Sequence, residues 1–287
     1  MTVTGGSGKL GRFAVAELLG RGWSVVNLDR VPPADELPGE EFIRVDLTQY
    51  GQAAEALTAV DDVYQGVDAL VHLAAIPAPG ITTNAATFAN NMPTTYNVFA
   101  AARLAGIRNV VWASSETVLG LPFDTPPPYV PVDEEYPGRP ESTYSLVKHL
   151  EEQMAAQLCR WDPRLKMIGL RFSNVMAPAD YAEFPSFDAD PLLRKWNLWS
   201  YIDGRDGAQA IRLALDHQAT GVDVFIISSP DSVMSRPTAE LAAEVFPGVP
   251  VTRELGVHET LLSCDKARRV LGYRPAHSWR DEIGNPA

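Results

Sequence analysis

Residues 4–11 read Thr-Gly-Gly-Ser-Gly-Lys-Leu-Gly and carry glycines at positions 5, 8 and 11. A short apolar segment, Thr2–Thr4, precedes this stretch, and a helical pattern follows it from Leu10. At this spacing the first glycine permits a tight turn, the second lets the backbone approach a pyrophosphate, and the third lets helix and strand pack closely. The stretch predicts a strand, a phosphate-binding turn and a helix, although the glycines considered alone also fit a plain surface turn.

Beyond this turn, short apolar runs alternate with longer amphipathic segments. The predicted strands are Thr2–Thr4, Ser24–Leu28, Phe42–Val45, Ala69–Leu73, Asn109–Ala113, Lys166–Leu170 and Val224–Ile227. The predicted helices are Leu10–Arg21, Gln52–Val60, Ala86–Ala105, Ser142–Leu158 and Gly207–His217. This alternation predicts an α/β fold, a doubly wound parallel (Rossmann) sheet with a small C-terminal substrate-binding lobe.

We expect residues 1–170 to form the dinucleotide-binding core and residues 171–287 a mixed substrate lobe that returns to the sheet at about 200–229. Residues 121–140 contain seven prolines and predict a surface loop. Residues 177–200 combine prolines with aromatic side chains and predict an irregular flap. Short helices are expected at Pro237–Val245 and Ser263–Leu271.

The composition excludes several classes of protein. With 46% hydrophobic and 21% charged residues, the 287-residue chain is neither disordered nor fibrous. Its formal charge of -12 disfavours a nucleic acid or an anionic membrane as partner, while a small anionic ligand is still compatible with local cations. The two cysteines lie far apart and without histidine clusters, so we expect reduced, inert thiols and no metal site. Lacking a signal segment and a long apolar run, the sequence predicts a soluble cytoplasmic protein.

Asp29 ends the second predicted strand, eighteen positions after the last glycine of the turn. A carboxylate at this place can accept hydrogen bonds from both ribose hydroxyls and repels a 2′-phosphate. The sequence therefore favours NAD over NADP as the cofactor. The adjacent Arg30 leaves NADP open, because a guanidinium can bind a phosphate or stack on adenine. A solvated strand end is the alternative interpretation of Asp29.

Tyr144 and Lys148 are four residues apart in a predicted helix and so share one face. The ammonium of Lys148 favours the phenolate form and lowers the tyrosine pKa towards the range of a general base. A second signal comes from the apolar strand that ends in Ser114-Ser115, because ligands of parallel sheets bind beyond the carboxyl ends of the strands. Each feature alone also fits a structural role, an exposed helix pair or a turn cap.

Taken together these motifs resemble the extended short-chain dehydrogenase/reductases, the NAD-dependent epimerase/dehydratase group. The resemblance runs from Val3 to about Pro275. The motifs that carry it are Thr4-Gly5-x-x-Gly8-x-x-Gly11, Asp29, Asp46-Leu47, His72-Leu73-Ala74-Ala75, Asn91, Ser114-Ser115, Tyr144-x-x-x-Lys148 and Leu170-Arg171-x-x-Asn174-Val175.

The resemblance implies the roles of individual residues. Ser115, Tyr144 and Lys148 are the implied catalytic residues. The implied cofactor-binding residues are Gly5, Gly8, Lys9, Leu10, Gly11, Asp29, Arg30, Asp46, Leu47, Leu73, Ala74, Ala75, Asn91, Tyr144 and Lys148. Asp46 would reach the adenine edge, and Ala74 would lie beside the phosphates and ribose. Candidate substrate contacts are Ser115, Glu116, Asn174, Arg171 and Trp199; no residue is assigned to a metal. Family members often pair through the helix that holds the tyrosine, so a homodimer is expected.

Departures from the family pattern narrow the chemistry. Dehydratases of this group follow the catalytic hydroxyl with an Asp-Glu pair, whereas this chain has Glu116-Thr117. Because threonine cannot serve as the base for elimination, the sequence disfavours a dehydratase. The region after Asn174 is short and tryptophan-rich, which favours a small substrate. The length and the Ser-Tyr-Lys set are similar to those of the uronate dehydrogenases.

The leading hypothesis is hydride transfer from a sugar or sugar-acid hydroxyl to NAD. The alternative is a sugar or nucleotide-sugar epimerase, in which the ketone intermediate takes the hydride back on its other face. A third hypothesis is a binding protein that senses NAD(P) without turnover.

Four further side chains have two possible roles each. Trp196 and Trp199 could stack on a sugar ring or belong to the core. Arg171 and Arg205 could bind a substrate carboxylate or form structural ion pairs.

Overall fold

A seven-stranded parallel sheet lies at the centre of the computed structural model, which describes residues 1–61 and 63–283. Its strands are β1 (Thr2–Thr4), β2 (Val25–Asp29), β3 (Glu40–Arg44), β4 (Ala69–His72), β5 (Asn109–Ser115), β6 (Lys166–Phe172) and β7 (Gly221–Ile227). They lie in the order β3-β2-β1-β4-β5-β6-β7, and each neighbouring pair is parallel. The register places Val3 between Asn27 of β2 and Val71 of β4. The predicted α/β Rossmann fold is confirmed.

The helices are α1 (Lys9–Gly20), α2 (Tyr50–Thr58), α3 (Asn84–Leu104), α4 (Thr143–Trp161), α5 (Gly204–Asp216), α6 (Thr238–Val245), α7 (Asp265–Leu271) and α8 (Trp279–Ile283). Shorter 3-10 helices cover Glu116–Leu119, Pro178–Ala189, Pro191–Leu193 and Lys195–Asn197. Two small strand pairs join Ala59–Val60 to Tyr64–Gln65 and Val175–Met176 to Ile202–Asp203. Most predicted helices and strands begin and end within about three residues of these bounds.

Apolar side chains from the two faces of the sheet enter two separate cores. Val3, Val71 and Val111 pack with α1, α5 and α7 on one face. On the other face, Leu28 and Trp112 pack with α2, α3 and α4. Because the central strands β4, β5 and β6 are buried on both faces, they read as apolar runs in the sequence, which is what allowed their prediction.

A third hydrophobic cluster corrects two expectations about the loops. The proline-rich segment 121–140 is only partly a surface loop: Phe123, Val130 and Val132 are buried, whereas residues 124–126 are exposed. They pack with Phe184 and Trp199 from the segment predicted as a flap, which is therefore a packed part of the protein. The physical reason is long-range pairing, because Val132 N donates to Leu261 O at 2.8 Å. The expected boundary at residue 170 between the dinucleotide-binding core and the substrate lobe stays a prediction. Strand β6 extends past this boundary to Phe172, and β7, from the expected substrate lobe, lies in the same sheet.

Candidate active site

A cleft of about 1400 Å³ lies at the carboxyl ends of the central strands. Its lining residues lie at or after the ends of six strands: within 5–11 for β1, within 29–34 for β2, Val45 and Leu47 for β3, 73–79 for β4, 115–117 for β5 and 173–175 for β6. The sheet order reverses between β1 and β4, and an open α/β sheet binds its ligands at such a reversal. The cleft is therefore the candidate ligand site.

The glycine turn has the geometry that a dinucleotide needs. Gly5 adopts a φ of +72°, and a Cβ added to it would lie 2.6 Å from the backbone nitrogen of Ala74. A Cβ on Gly11 would lie 2.1 Å from Gly5 O, so this glycine lets α1 pack against the turn. Gly8 is the N-cap of α1 and lines the cleft with Lys9. The backbone N–H groups of the first helical turn are therefore available to a phosphate, and this part of the cleft fits NAD.

Asp29 occupies the end of β2, as predicted, and its carboxylate is fixed by backbone N–H groups. Its Oδ1 accepts a hydrogen bond from Arg30 N at 2.6 Å, and its Oδ2 accepts one from Ser7 N at 3.2 Å. Arg30 lines the cleft, but its Nη2 lies 2.6 Å from Asp46 Oδ1. The carboxylate at this position and the partner of Arg30 both fit NAD better than NADP.

Two residues expected along the cofactor support the cleft from behind it. Asp46 Oδ1 accepts hydrogen bonds from Thr48 Oγ1 and from Arg30, and these two contacts lower the pKa of the Asp46 carboxyl. Asn91 is fully buried and bonds to both backbone groups of Ile76, at 2.8 and 3.0 Å. Neither residue is among those that line the cleft, and a direct contact with the cofactor stays a prediction for both. Lys9, Leu10, Leu47, Leu73, Ala74 and Ala75 do line it.

The two serines at the end of β5 have different partners. Ser114 Oγ donates to Glu152 Oε1 at 2.6 Å in the interior. Ser115 Oγ accepts hydrogen bonds from the backbone N and the hydroxyl of Thr117, at 3.2 and 3.0 Å. Ser115 is also a hydrogen-bond partner that lowers the pKa of the Tyr144 phenol. Because its lone pairs are used by Thr117, the Ser115 hydroxyl is held as a donor towards the cleft.

Helix α4 positions Tyr144 and Lys148. Ser142 caps the helix by accepting from Ser145 N at 3.1 Å, so the helix begins immediately before the tyrosine. Tyr144 and Lys148 line the cleft, and Lys148 Nζ lies 6.0 Å from the centre of the tyrosine ring. Burial raises the pKa of Tyr144, whereas the charge of Lys148 lowers it. The lysine thus opposes the cost of burying a phenolate.

Glu116, Thr117, Asn174 and Trp196 also line the cleft. Glu116 accepts from Ser173 Oγ at 2.6 Å and from Asn197 Nδ2 at 3.3 Å. Burial raises the pKa of this carboxyl to about 7 although these hydrogen bonds oppose the change. Glu116 therefore lies beside Ser115 as a buried group able to hold a proton near neutral pH.

Two predicted substrate contacts do not lie in the cleft. Arg171 is buried and forms two hydrogen bonds to Glu152, at 2.9 and 2.8 Å, so its role is structural. Trp199 has no exposed surface and donates from Nε1 to Pro191 O at 2.8 Å within the third hydrophobic cluster. Both expectations are corrected, because Arg171 is paired with Glu152 in the interior and Trp199 has no surface exposed to the cleft. Arg205 likewise pairs with Asp203 and Glu282.

Sequence reasoning missed several residues of the cleft. Leu121 and Pro122 come from the segment expected to be a surface loop, and Ser142 is the helix cap. Glu151 was also missed, although a carboxylate three residues after Lys148 shares a helix face with it.

Both cysteines are free and buried, and burial raises the pKa of Cys159 to about 11. Within residues 1–61 and 63–283, no cluster of His, Cys, Asp and Glu fits a metal ion.

The parallel sheet, the glycine turn and the Ser-Tyr-Lys cluster in one cleft define a short-chain dehydrogenase/reductase. The model of the NAD dependent epimerase/dehydratase family matches residues 1–227, and the chain belongs to that family. The family depends on NAD, in agreement with the predicted cofactor. Among the helices that the structure describes, none is long and apolar enough to cross a membrane.

Related proteins include UDP-glucose 4-epimerases. The chain is 32% identical over 213 residues to the UDP-glucose 4-epimerase of Erwinia amylovora, a match that covers 70% of this chain and 59% of that protein. It spans about half the length of the curated relatives it matches. A crystal structure of UDP-galactose 4-epimerase superposes with a TM-score of 0.69 at 25% identity, covering 99% of this chain and 96% of the other. A short-chain dehydrogenase/reductase superfamily protein from Agrobacterium tumefaciens with bound NAD gives 0.73 at 24% identity, covering 98% and 94%.

Proposed function

We propose that this protein oxidises a secondary hydroxyl group of a sugar, with NAD as the hydride acceptor. The observation that carries the proposal is the shared placement of Ser115, Tyr144 and Lys148, which are all buried and line the same cleft as the glycine turn. A base, a hydrogen-bond donor and a fixed cation beside a dinucleotide turn are the groups that alcohol oxidation requires.

Each of the three residues has a distinct task in this proposal. Tyr144, as phenolate, accepts the proton of the substrate hydroxyl. Ser115 donates a hydrogen bond to the reacting oxygen, since its own lone pairs are engaged by Thr117. Lys148 stabilises the phenolate; two of its N–H groups bind Ala113 O and Glu151, and the third is left for the cofactor ribose. Bound NAD supplies the site that receives the hydride.

The relatives support an epimerase, in which the hydride returns to the opposite face of the oxidised sugar. The identities near 30% are to UDP-glucose 4-epimerases, and the family itself includes epimerases. We therefore place sugar epimerisation ahead of net oxidation, which the sequence alone favoured. In both reactions the first step and the roles of the three residues are the same.

Net oxidation of a sugar without a nucleotide is the second candidate, and the charges of the cleft support it. The cationic side chains among the described lining residues are Lys9, Arg30 and Lys148. Each has a carboxylate partner, respectively Asp180, Asp46 and Glu151. A nucleotide diphosphate would therefore find none of these three cations without a carboxylate partner.

A substrate screen tests the proposal and separates the two reactions. Aldoses, uronic acids and UDP-sugars are incubated with NAD, and both NADH absorbance and the sugar products are measured. Epimerisation yields a new sugar without accumulating NADH, whereas net oxidation yields NADH in proportion to product.

A tyrosine variant tests whether the cluster is catalytic. We expect Tyr144→Phe to reduce turnover about a thousandfold, since it removes the proton acceptor. Tyr96→Phe, at an exposed position of α3, serves as the control and should behave like the unmodified protein. Full activity of the Tyr144 variant would contradict the proposed role. NAD binding without turnover of any substrate would support the NAD(P)-sensing hypothesis.

A further inference from the structure

The ammonium of Lys148 has a carboxylate partner on its own helix. Lys148 Nζ donates to Ala113 O at 2.8 Å and to Glu151 Oε2 at 3.0 Å. Glu151 has no exposed surface, and Lys148 is 3% exposed. A carboxylate is costly to bury unless it is paired, and here its partner is the same cation that stabilises the Tyr144 phenolate.

A line of hydrogen bonds runs from Glu151 to the strand before the glycine turn. Thr95 Oγ1 donates to Glu151 Oε1 at 2.8 Å and lies 3.1 Å from His72 Nε2. Since the threonine proton points to the carboxylate, the imidazole must donate from Nε2 and accept at Nδ1. The donor to Nδ1 is the hydroxyl of Thr4, 2.7 Å away. The hydrogen bonds of this line are all directed towards Glu151.

The direction of these hydrogen bonds indicates the charge states of His72 and Glu151. Burial, with a smaller contribution from Lys148, lowers the pKa of His72 to about 3, so the imidazole is neutral at physiological pH. Burial raises the pKa of the Glu151 carboxyl, whereas the Lys148 charge and the hydrogen bonds from Lys148 and Thr95 lower it. Because both oxygens accept hydrogen bonds, the contacts favour the ionised carboxylate. Burial opposes the charge of Lys148, but the Glu151 carboxylate and the Tyr144 phenol together raise the lysine pKa. Lys148 and Glu151 therefore form a buried ion pair.

The phenol of Tyr144 experiences both members of this pair. Burial raises its pKa most strongly; the Lys148 charge lowers it, the Glu151 charge raises it, the Ser115 hydroxyl lowers it and the Glu116 carboxyl raises it. Glu152 also acts on Lys148, although its own hydrogen-bond partners are Arg171 and Ser114. Of the carboxylates near the phenol, Glu151 is the one in direct contact with the activating ammonium.

We propose that Glu151 is a positioning residue, which holds the Lys148 ammonium against Ala113 and, through its negative charge, sets the pH above which Tyr144 acts as a base. The inference rests on the proposed function of Tyr144 and Lys148. Without the Glu151 charge the same ammonium would stabilise the phenolate more strongly. The activity would then begin at a lower pH, and the ammonium would be held less firmly.

Glu151→Gln tests the charge, because the amide oxygen can still accept from Lys148. Removing a negative charge near the phenol favours the phenolate, so the tyrosine pKa falls. We expect the acid limb of the kcat/KM profile to move about one pH unit lower. The ionisation of Tyr144 is measured separately, without cofactor, from the ultraviolet absorbance of phenolate; each protein is compared with its Tyr144→Phe counterpart. This midpoint should move in the same direction, and an unchanged or higher midpoint would overturn the inference.

A second variant and a control complete the test. Glu151→Met removes the same negative charge with an apolar side chain of similar length, so the tyrosine midpoint should again fall. This variant decides the matter if Glu151→Gln does not fold. Gln157→Glu adds a carboxylate at an exposed position of the same helix and should leave the midpoint unchanged. An active Tyr144→Phe protein refutes the proposed function, whereas an inactive one with an unmoved Glu151→Gln midpoint refutes this inference alone.

Discussion

Asp29 is the side chain on which the choice between NAD and NADP depends most directly. Its two oxygens are held by the backbone N–H groups of Ser7, Arg30 and Val31, so the carboxylate cannot turn away from a bound ribose without losing them. We expect Asp29→Asn to lower the preference for NAD over NADP about tenfold or more, since the repulsion of a 2′-phosphate is lost. Fluorescence titrations with NADH and NADPH measure the ratio of dissociation constants.

Asp35→Asn is the matched control, because Asp35 is exposed and its side chain makes no hydrogen bond within the described part of the chain. An unchanged ratio in the Asp29 variant, or an equal change in the Asp35 variant, would show that the carboxylate does not discriminate between the two cofactors.

Trp196 and Trp199 show where reasoning from the sequence fails for single residues. They are three positions apart in a segment of short 3-10 helices, where neither the helical nor the strand period assigns a side chain to a face. Trp196 lines the cleft with the Arg194 guanidinium 5.0 Å from its ring centre, whereas Trp199 is fully buried against Phe246. Only the packing of distant segments distinguishes them.

The attachment of helix α4 to the sheet depends on a buried ion pair. Glu152 on α4 accepts two hydrogen bonds from Arg171 on β6 and one from Ser114 on β5. We expect Arg171→Met to lower the free energy of unfolding by about 3–5 kcal/mol, because it leaves Glu152 buried without its cation. Chemical denaturation followed by circular dichroism measures this change.

The double variant Arg171→Met with Glu152→Met should recover most of that loss, since an apolar pair leaves no buried charge. Arg212→Met breaks a partly exposed pair with Glu17 and should cost no more than about 1 kcal/mol. Equal losses for the two arginine variants would contradict the structural role assigned to Arg171.

The sheet could be predicted from the sequence because its central strands are short, apolar and buried on both faces. Residues 121–140 could not, since prolines exclude a helix or a central strand but carry no information about burial. Val130 and Val132 acquire their backbone partners from Pro250 and Leu261, more than a hundred residues away. The site residues differ in the same way, between those that a local pattern indicates and those that depend on contacts between distant segments. Tyr144 and Lys148 were predictable from helical spacing, whereas the burial of Glu151 depends on the packing of α3 and β5 around it.

The cleft joins parts of the chain that are far apart in the sequence. Residues after β1, β2 and β4 lie at one end, and residues 173–175 with Trp196 lie at the other. A bound dinucleotide would contact segments from several strands at once, and a ligand that binds only the folded state stabilises it by mass action. Cofactor binding should therefore be visible in the thermal stability of the protein as a whole.

We expect NAD at about one hundred times its dissociation constant to add about 2.7 kcal/mol of stability, which for a chain of this size raises the melting temperature by about 4–5 °C. NADP at the same concentration should give a smaller shift. Differential scanning fluorimetry measures both shifts.

Gly5→Ala should abolish the shift with NAD, because the new Cβ would lie 2.6 Å from Ala74 N and displace the phosphate-binding turn. Gly22→Ala is the matched control: its φ of +84° imposes similar backbone strain, but no atom lies within 4 Å of the added Cβ. The control should melt at a lower temperature yet keep the full shift with NAD. Equal shifts in the two glycine variants would show that NAD does not bind at the turn.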